Sequence, residues 1–116
     1  MTSNKVPQFA QLSENAYKEY ERAVQTLRQE LARGRTYDQA CSSLTDLDQS
    51  LKAFVREEFL KTLIAEEHFG AGVEISDIAL LLELPYNKVE AALMTLLNDM
   101  VREADCHRAG ENKTIN

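Results

Sequence analysis

Tryptophan is absent from this 116-residue chain, and only two Cys, two Pro, two His and four Gly are present. Each scarcity excludes something. With so few Pro and Gly to interrupt the backbone, long helices are expected rather than a turn-rich β fold. Cys41 and Cys106 lack C-x-x-C spacing, so they read as two reduced thiols, not a disulfide framework or zinc knuckle. His68 and His107 stand far apart in sequence, and Asp105, Cys106 and His107 are consecutive, which would point their side chains to different faces of a strand. No metal and no cofactor are therefore expected. No Gly-rich phosphate loop, nucleophile elbow or H-E-x-x-H is present, so the chain is not expected to be an enzyme. Glu57-Glu58 and Glu66-Glu67 read as a solvated helix face beside Arg56 and Lys61. The longest apolar run, Ile78 to Leu82, falls far short of the ~20 residues that cross a bilayer. Met1-Thr2-Ser3-Asn4-Lys5 is followed by no apolar signal core, so a cytoplasmic protein without membrane contact is expected.

Positive charge is also in short supply. Thirteen Lys and Arg face nineteen Asp and Glu, a net charge of −6. Residues 1–35 carry a local surplus of +2, whereas residues 36–70 and 71–116 each carry −4. A duplex binder neutralises several phosphates with Lys and Arg, so an acidic second half opposes simple DNA binding.

What the chain does contain is helical periodicity at the scale of one domain. Residues 1–12 read as a flexible arm. Ser13 is a candidate N-cap for a helix over about residues 13–33, closed by Gly34. Along it Tyr17, Tyr20, Val24, Leu27 and Leu31 recur at spacings of 3, 4, 3 and 4. That stripe serves either to pack the helix on its own domain or as a homodimer seam. Thr36 and Gln39 fit a capping box ahead of a short helix over 37–44. Asp48 caps a helix over about 49–69. Its stripe of Leu51, Phe54, Val55, Phe59, Leu63 and His68 or Phe69, widened by Leu60 and Ile64, predicts a central helix contacted from two sides. Gly70-Ala71-Gly72 ends it. Arg28, Arg33 and Arg35 form a local basic patch, read as cations at a helix C-terminus or as accessory phosphate contacts.

Beyond Gly72, Val73-Glu74-Ile75 reads as a short strand. Ser76 is the expected cap of a helix over 77–82, with Ile75 stapled against Leu80. Glu83-Leu84 makes a turn, and Pro85 opens a helix over about 85–100. Val89, Ala92, Leu93, Leu96, Leu97 and Met100 form its inner face. Residues 101–116 read as a hairpin around Gly110 or as a frayed helix end.

This order over residues 49–116 resembles the winged helix-turn-helix superfamily. Ala79 stands where that family often has a small residue, and Leu84 and Val89 match its usual apolar positions. Glu83 departs from the pattern, since Gly is common there. The resemblance implies a mainly α domain with a small C-terminal wing, embellished or dimerised by the helices of residues 13–48. It implies a DNA-binding transcription regulator whose second helix enters the major groove, and with the stripe of residues 17–31 as a seam a homodimer is expected. Carried over, the reading face is Tyr86, Asn87, Lys88, Ala91 and Thr95, with Asn87 suited to adenine and Lys88 to guanine or phosphate. Arg102, Arg108 and Lys113 become the wing's phosphate contacts. Glu90 sits within that face, and Glu103, Asp105 and Glu111 offset the wing's cations. The expected partner is double-stranded DNA. The alternative is a protein partner, because related folds also serve as interaction modules without DNA affinity.

Overall fold

The computed structural model describes residues 13–115, and side chains through residue 104. The expected arm, residues 1–12, lies outside them. The chain forms α1 (Glu14–Ala32), α2 (Tyr37–Ser42), α3 (Gln49–Ile64), a π-helical turn (Ala65–Gly70), α4 (Ile75–Leu82) and α5 (Tyr86–Ile115).

Local chemistry sets most of the boundaries. The Ala16 amide donates to Ser13 Oγ (3.1 Å), which starts α1. At its other end Gly34 turns left-handed (φ 88°). The Gly34 amide then reaches Leu31 O (3.0 Å) and the Arg35 amide reaches Glu30 O (3.2 Å), a Schellman closure. Thr36 and Gln39 form the expected capping box, with reciprocal bonds of 3.0 and 2.9 Å. The Leu51 amide donates to Asp48 Oδ1 (2.8 Å), which starts α3.

α3 is the central element, with α1 on one side and α5 on the other. Its Leu51, Phe54, Val55, Phe59, Leu60, Leu63 and Ile64 are all buried. From α1 they meet Tyr20, Ala23 and Leu27, and from α2 Tyr37, Ala40 and Cys41. Ile75, Ile78, Ala79 and Leu82 of α4 and Val89 of α5 complete the same cluster. The Tyr37 and Phe59 rings stack with centroids 6.2 Å apart, and Tyr20 tilts against Phe54 at 5.6 Å. Among the described residues no polar or charged side chain is buried in this core.

The second half departs from the winged pattern. No described residue is in a strand, so neither the strand at 73–75 nor the C-terminal hairpin exists. At Val73 both backbone groups are taken by the preceding helix end. Its amide donates to Glu67 O (2.8 Å), and its carbonyl meets His68 Nδ1 (2.8 Å). Nothing remains for a β-ladder. Residues 101–115 instead continue α5. Arg102, Glu103, Ala104 and Ala109 suit a helix, and Gly110 alone is not enough to end one. The cap before α4 also shifts. The helix begins at Ile75, Glu74 occupies the cap position without a side-chain bond, and Ser76 lies in the first turn. Ile75 joins Ile78, Ala79 and Leu82 on the buried face, whereas Leu80 is 76% exposed, so the expected staple does not form.

Between α4 and α5 the turn is Glu83-Leu84-Pro85. Glu83 is left-handed (φ 57°), and the Leu84 amide reaches back to Ala79 O (2.9 Å). Pro85 sits just ahead of α5, its carbonyl accepting from the Lys88 amide (3.0 Å).

Candidate functional surface

The turn presents Tyr86, Asn87 and Lys88 to solvent on the first turn of α5, with Ala91 and Thr95 exposed farther along. They do not share one face. Tyr86 and Lys88 are two residues apart and so lie on opposite sides of the helix. Lys88, Ala91 and Thr95 line a shallow groove of about 200 Å³ with Ala92, closed on the α3 side by Glu57, Leu60 and Lys61. Thr95 Oγ1 donates to Ala91 O (3.0 Å).

The groove is not basic. Lys61 Nζ bonds Glu58 and Asp99, each at 2.8 Å, tying α3 to α5. Burial acts to lower the Lys61 pKa, but the bonds to Asp99 and Glu58 outweigh it and leave the ammonium raised. Lys61 is therefore already neutralised, and Lys88 shares the groove with the exposed Glu57.

The three cations assigned to a wing take a different place. Arg102 is exposed on α5. Arg108 and Lys113 also lie on α5, their side chains outside the described residues. Lys113 follows Lys88 by 25 positions on one helix, about 37 Å along the axis at 1.5 Å per residue. Without a hairpin there is no wing to lay these charges beside a reading helix.

The basic patch near Gly34 is likewise paired. Arg28 makes two bonds to the Glu66 carboxylate (3.2 and 2.8 Å), with its guanidinium 5.3 Å from the Phe59 ring centre. Arg33 and Arg35 both hold Glu30, at 3.1 and 2.9 Å.

The proposed dimer stripe of α1 is used inside the chain. Tyr20 and Leu27 are buried, Val24 and Leu31 pack partly against the core, and Tyr17 stays at the surface. The continuity of Tyr20 and Leu27 with Phe54 and Phe59 explains why this face turns inward.

Sequence reasoning missed a different surface. Tyr86, Met94, Met100 and Val101 are each 50–59% exposed, and with half-buried Leu93 and Leu97 they run along one edge of α5. Leu97 and Met100 were expected on the inner face. The signal was the width of the stripe, which is broader than packing on α3 and α4 requires. On the adjoining helix Leu80 and Leu81 also point outward.

Among the described residues no group of three or more His, Cys, Asp and Glu is arranged to hold a metal ion. Cys41 is buried on the inner face of α2, and burial pushes its thiol pKa up, which disfavours the reactive thiolate. No described helix is long and apolar enough to cross a membrane. Compared with protein-family models, with curated proteins and with solved structures, the chain matches none.

Proposed function

We propose that this chain is an all-helical protein-interaction module that docks a partner along the outer edge of α5. One observation carries the reading. Of the eight large apolar side chains exposed among the described residues, six belong to α4 and α5: Leu80, Leu81, Tyr86, Met94, Met100 and Val101. Apolar side chains concentrated on one part of a surface mark an association site, and Tyr and Met are enriched where proteins meet. A continuous row on a helix suits a second helix laid against it.

Electrostatics weigh against a duplex ligand. Residues 49–104 hold ten carboxylates and five Lys or Arg. Two of those five cations, Arg56 and Lys61, are engaged with Asp38 and with Glu58 and Asp99. Phosphate contacts need free cations in a row, and counterion release rewards each one.

Two experiments test this reading. A photo-crosslinking side chain placed at Met94 or Val101 is expected to trap a partner in cells, while the same group at Lys52 or Asp46 traps none. Equal trapping at all four positions, or at none, overturns the proposal. Fluorescence anisotropy with mixed-sequence duplex DNA at about 50 and 200 mM salt is expected to show no binding. Binding that falls steeply with salt and disappears in Lys88→Glu overturns the proposal in favour of a nucleic-acid role.

A further inference from the structure

A second concavity opens where three helix ends meet. Its floor is Leu31 of α1, Leu63 of α3, and Ile78 and Leu82 of α4, with the exposed Leu81 as a wall. It measures about 360 Å³, against about 200 Å³ for the groove between α3 and α5. An apolar pocket of ~300–1,000 Å³ with a few convergent polar groups is the usual form of a small-molecule site. The charged groups lining this one are a guanidinium, Arg35, and a carboxylate, Glu67. We infer that the groove binds a free apolar α-amino acid, which Arg35 holds by the carboxylate and Glu67 by the ammonium.

The two charges are held in place but not spent on each other. Among the described residues no ion pair joins Arg35 to Glu67. Arg35 gives its Nε to Glu30 Oε1 (2.9 Å), and its two terminal nitrogens have no described partner. The half-buried Glu67 carboxylate has none at all, whereas its neighbour Glu66 is held by Arg28. Backbone closures fix both positions. Behind the left-handed Gly34, the Arg35 amide reaches Glu30 O (3.2 Å), and Glu67 O accepts from the Val73 amide (2.8 Å). Groups positioned before binding lose less freedom when a ligand arrives.

An α-amino acid carries its cation and its anion on one carbon, beside its side chain. An apolar acid would cover the mouth and leave Glu67 unpaired, and an apolar amine would do the same to Arg35. A charge stripped of water without a partner weakens binding. A residue inside a peptide has lost both terminal charges and matches neither group. The ligand's side chain settles on the aliphatic floor, where Leu63, Ile78 and Leu82 are already buried and Leu81, 73% exposed, gains cover. No residue of α5 lines this groove, so its test is separate from that of the α5 edge.

Amide chemical shifts of the isotope-labelled full chain, titrated with L-leucine, test this directly. Saturating shifts are expected at Arg35, Glu67 and Leu81. Isocaproate, which lacks the ammonium, and isoamylamine, which lacks the carboxylate, are each expected to bind about 10- to 100-fold more weakly. Leucine blocked at both ends, N-acetyl-L-leucinamide, is expected to bind more weakly still. This series is read on the unaltered chain and does not depend on any variant folding. Glu67→Gln is then expected to weaken L-leucine by a similar factor and leave isocaproate unchanged. Arg35→Gln is expected to weaken L-leucine and leave isoamylamine unchanged. No shift at these residues up to the solubility limit of L-leucine overturns the site. Isocaproate, isoamylamine or blocked leucine binding as tightly as L-leucine overturns the ligand class. A variant that weakens every probe alike overturns the role assigned to its residue.

Discussion

Glu83 is the residue whose backbone most clearly works against its side chain. It holds φ 57° at the close of α4, where the Leu84 amide must reach Ala79 O. An L-residue there carries a penalty of about 1 kcal/mol that glycine avoids. Glu83→Gly is expected to stabilise the fold by about that amount, raising the thermal midpoint by several degrees. A lower midpoint would contradict the strain argument. Gly34, at φ 88°, is the reverse case, and Gly34→Ala is expected to lower the midpoint by a similar margin. Tyr37 sets the response to alkali. Its hydroxyl donates to Arg56 O, and burial, with Cys41 nearby, raises its pKa well above the ordinary value. Tyr20 is raised too, by burial and then by Glu58. A raised phenol favours the folded state as long as it stays protonated. That contribution is complete below the unfolded pKa of about 10 and is lost as pH climbs above it. Lys61, also raised, acts in the same direction. Urea titrations are expected to show stability falling above about pH 10, with a shallower fall in Tyr37→Phe. An unchanged slope would remove Tyr37 from the account.

Caps decided most of the helix starts, and caps are short-range chemistry. Ser13, the Thr36–Gln39 box and Asp48 were all legible, because each needs only residues within three positions. Thr36→Ala is expected to cost about 1 kcal/mol by chemical denaturation. A loss within experimental error would show that packing of Tyr37 and Ala40 alone holds α2. The elements read wrongly were those that depended on partners elsewhere. Val73-Glu74-Ile75 has a strand's composition, but no neighbouring strand exists, and the π-helical turn takes Val73's backbone groups first. Residues 101–115 carried one turn residue, Gly110, and mostly helix-compatible neighbours, so the helix of Val89 and Leu96 ran on. Backbone chemical shifts are expected to be helical from Val101 through Ile115. Strand-like shifts there would restore the hairpin.

Across the whole molecule, one core joins the helices of residues 13–48 to those that follow. Tyr20, Ala23 and Leu27 of α1 bury against α3 in the same cluster as α4 and the start of α5. Leu27→Ala is therefore expected to cost about 2–5 kcal/mol, and Tyr17→Ala, at the more exposed end of the same stripe, to cost less. Equal losses at both positions would return the stripe to an interface. Charge follows the same logic. Arg28, part of a basic patch in the sequence, is held by Glu66 thirty-eight positions away, and Lys61 by Asp99 at the same separation.

Composition and spacing alone determined an acidic, helix-rich chain, its central helix and the caps at Ser13, Thr36 and Asp48. Those features depend on neighbours within one helical turn or on counts over the chain. Which face of a helix became core, which cations stayed free and whether the end of the chain turned back were decided only in three dimensions. Each depends on groups distant in sequence. The α1 stripe and the α5 edge show the difference. Both are largely apolar rows at helical spacing. The first meets Phe54 and Phe59, which bury Tyr20 and Leu27; the second overruns the helices beneath it, and Met94, Met100 and Val101 remain at the surface.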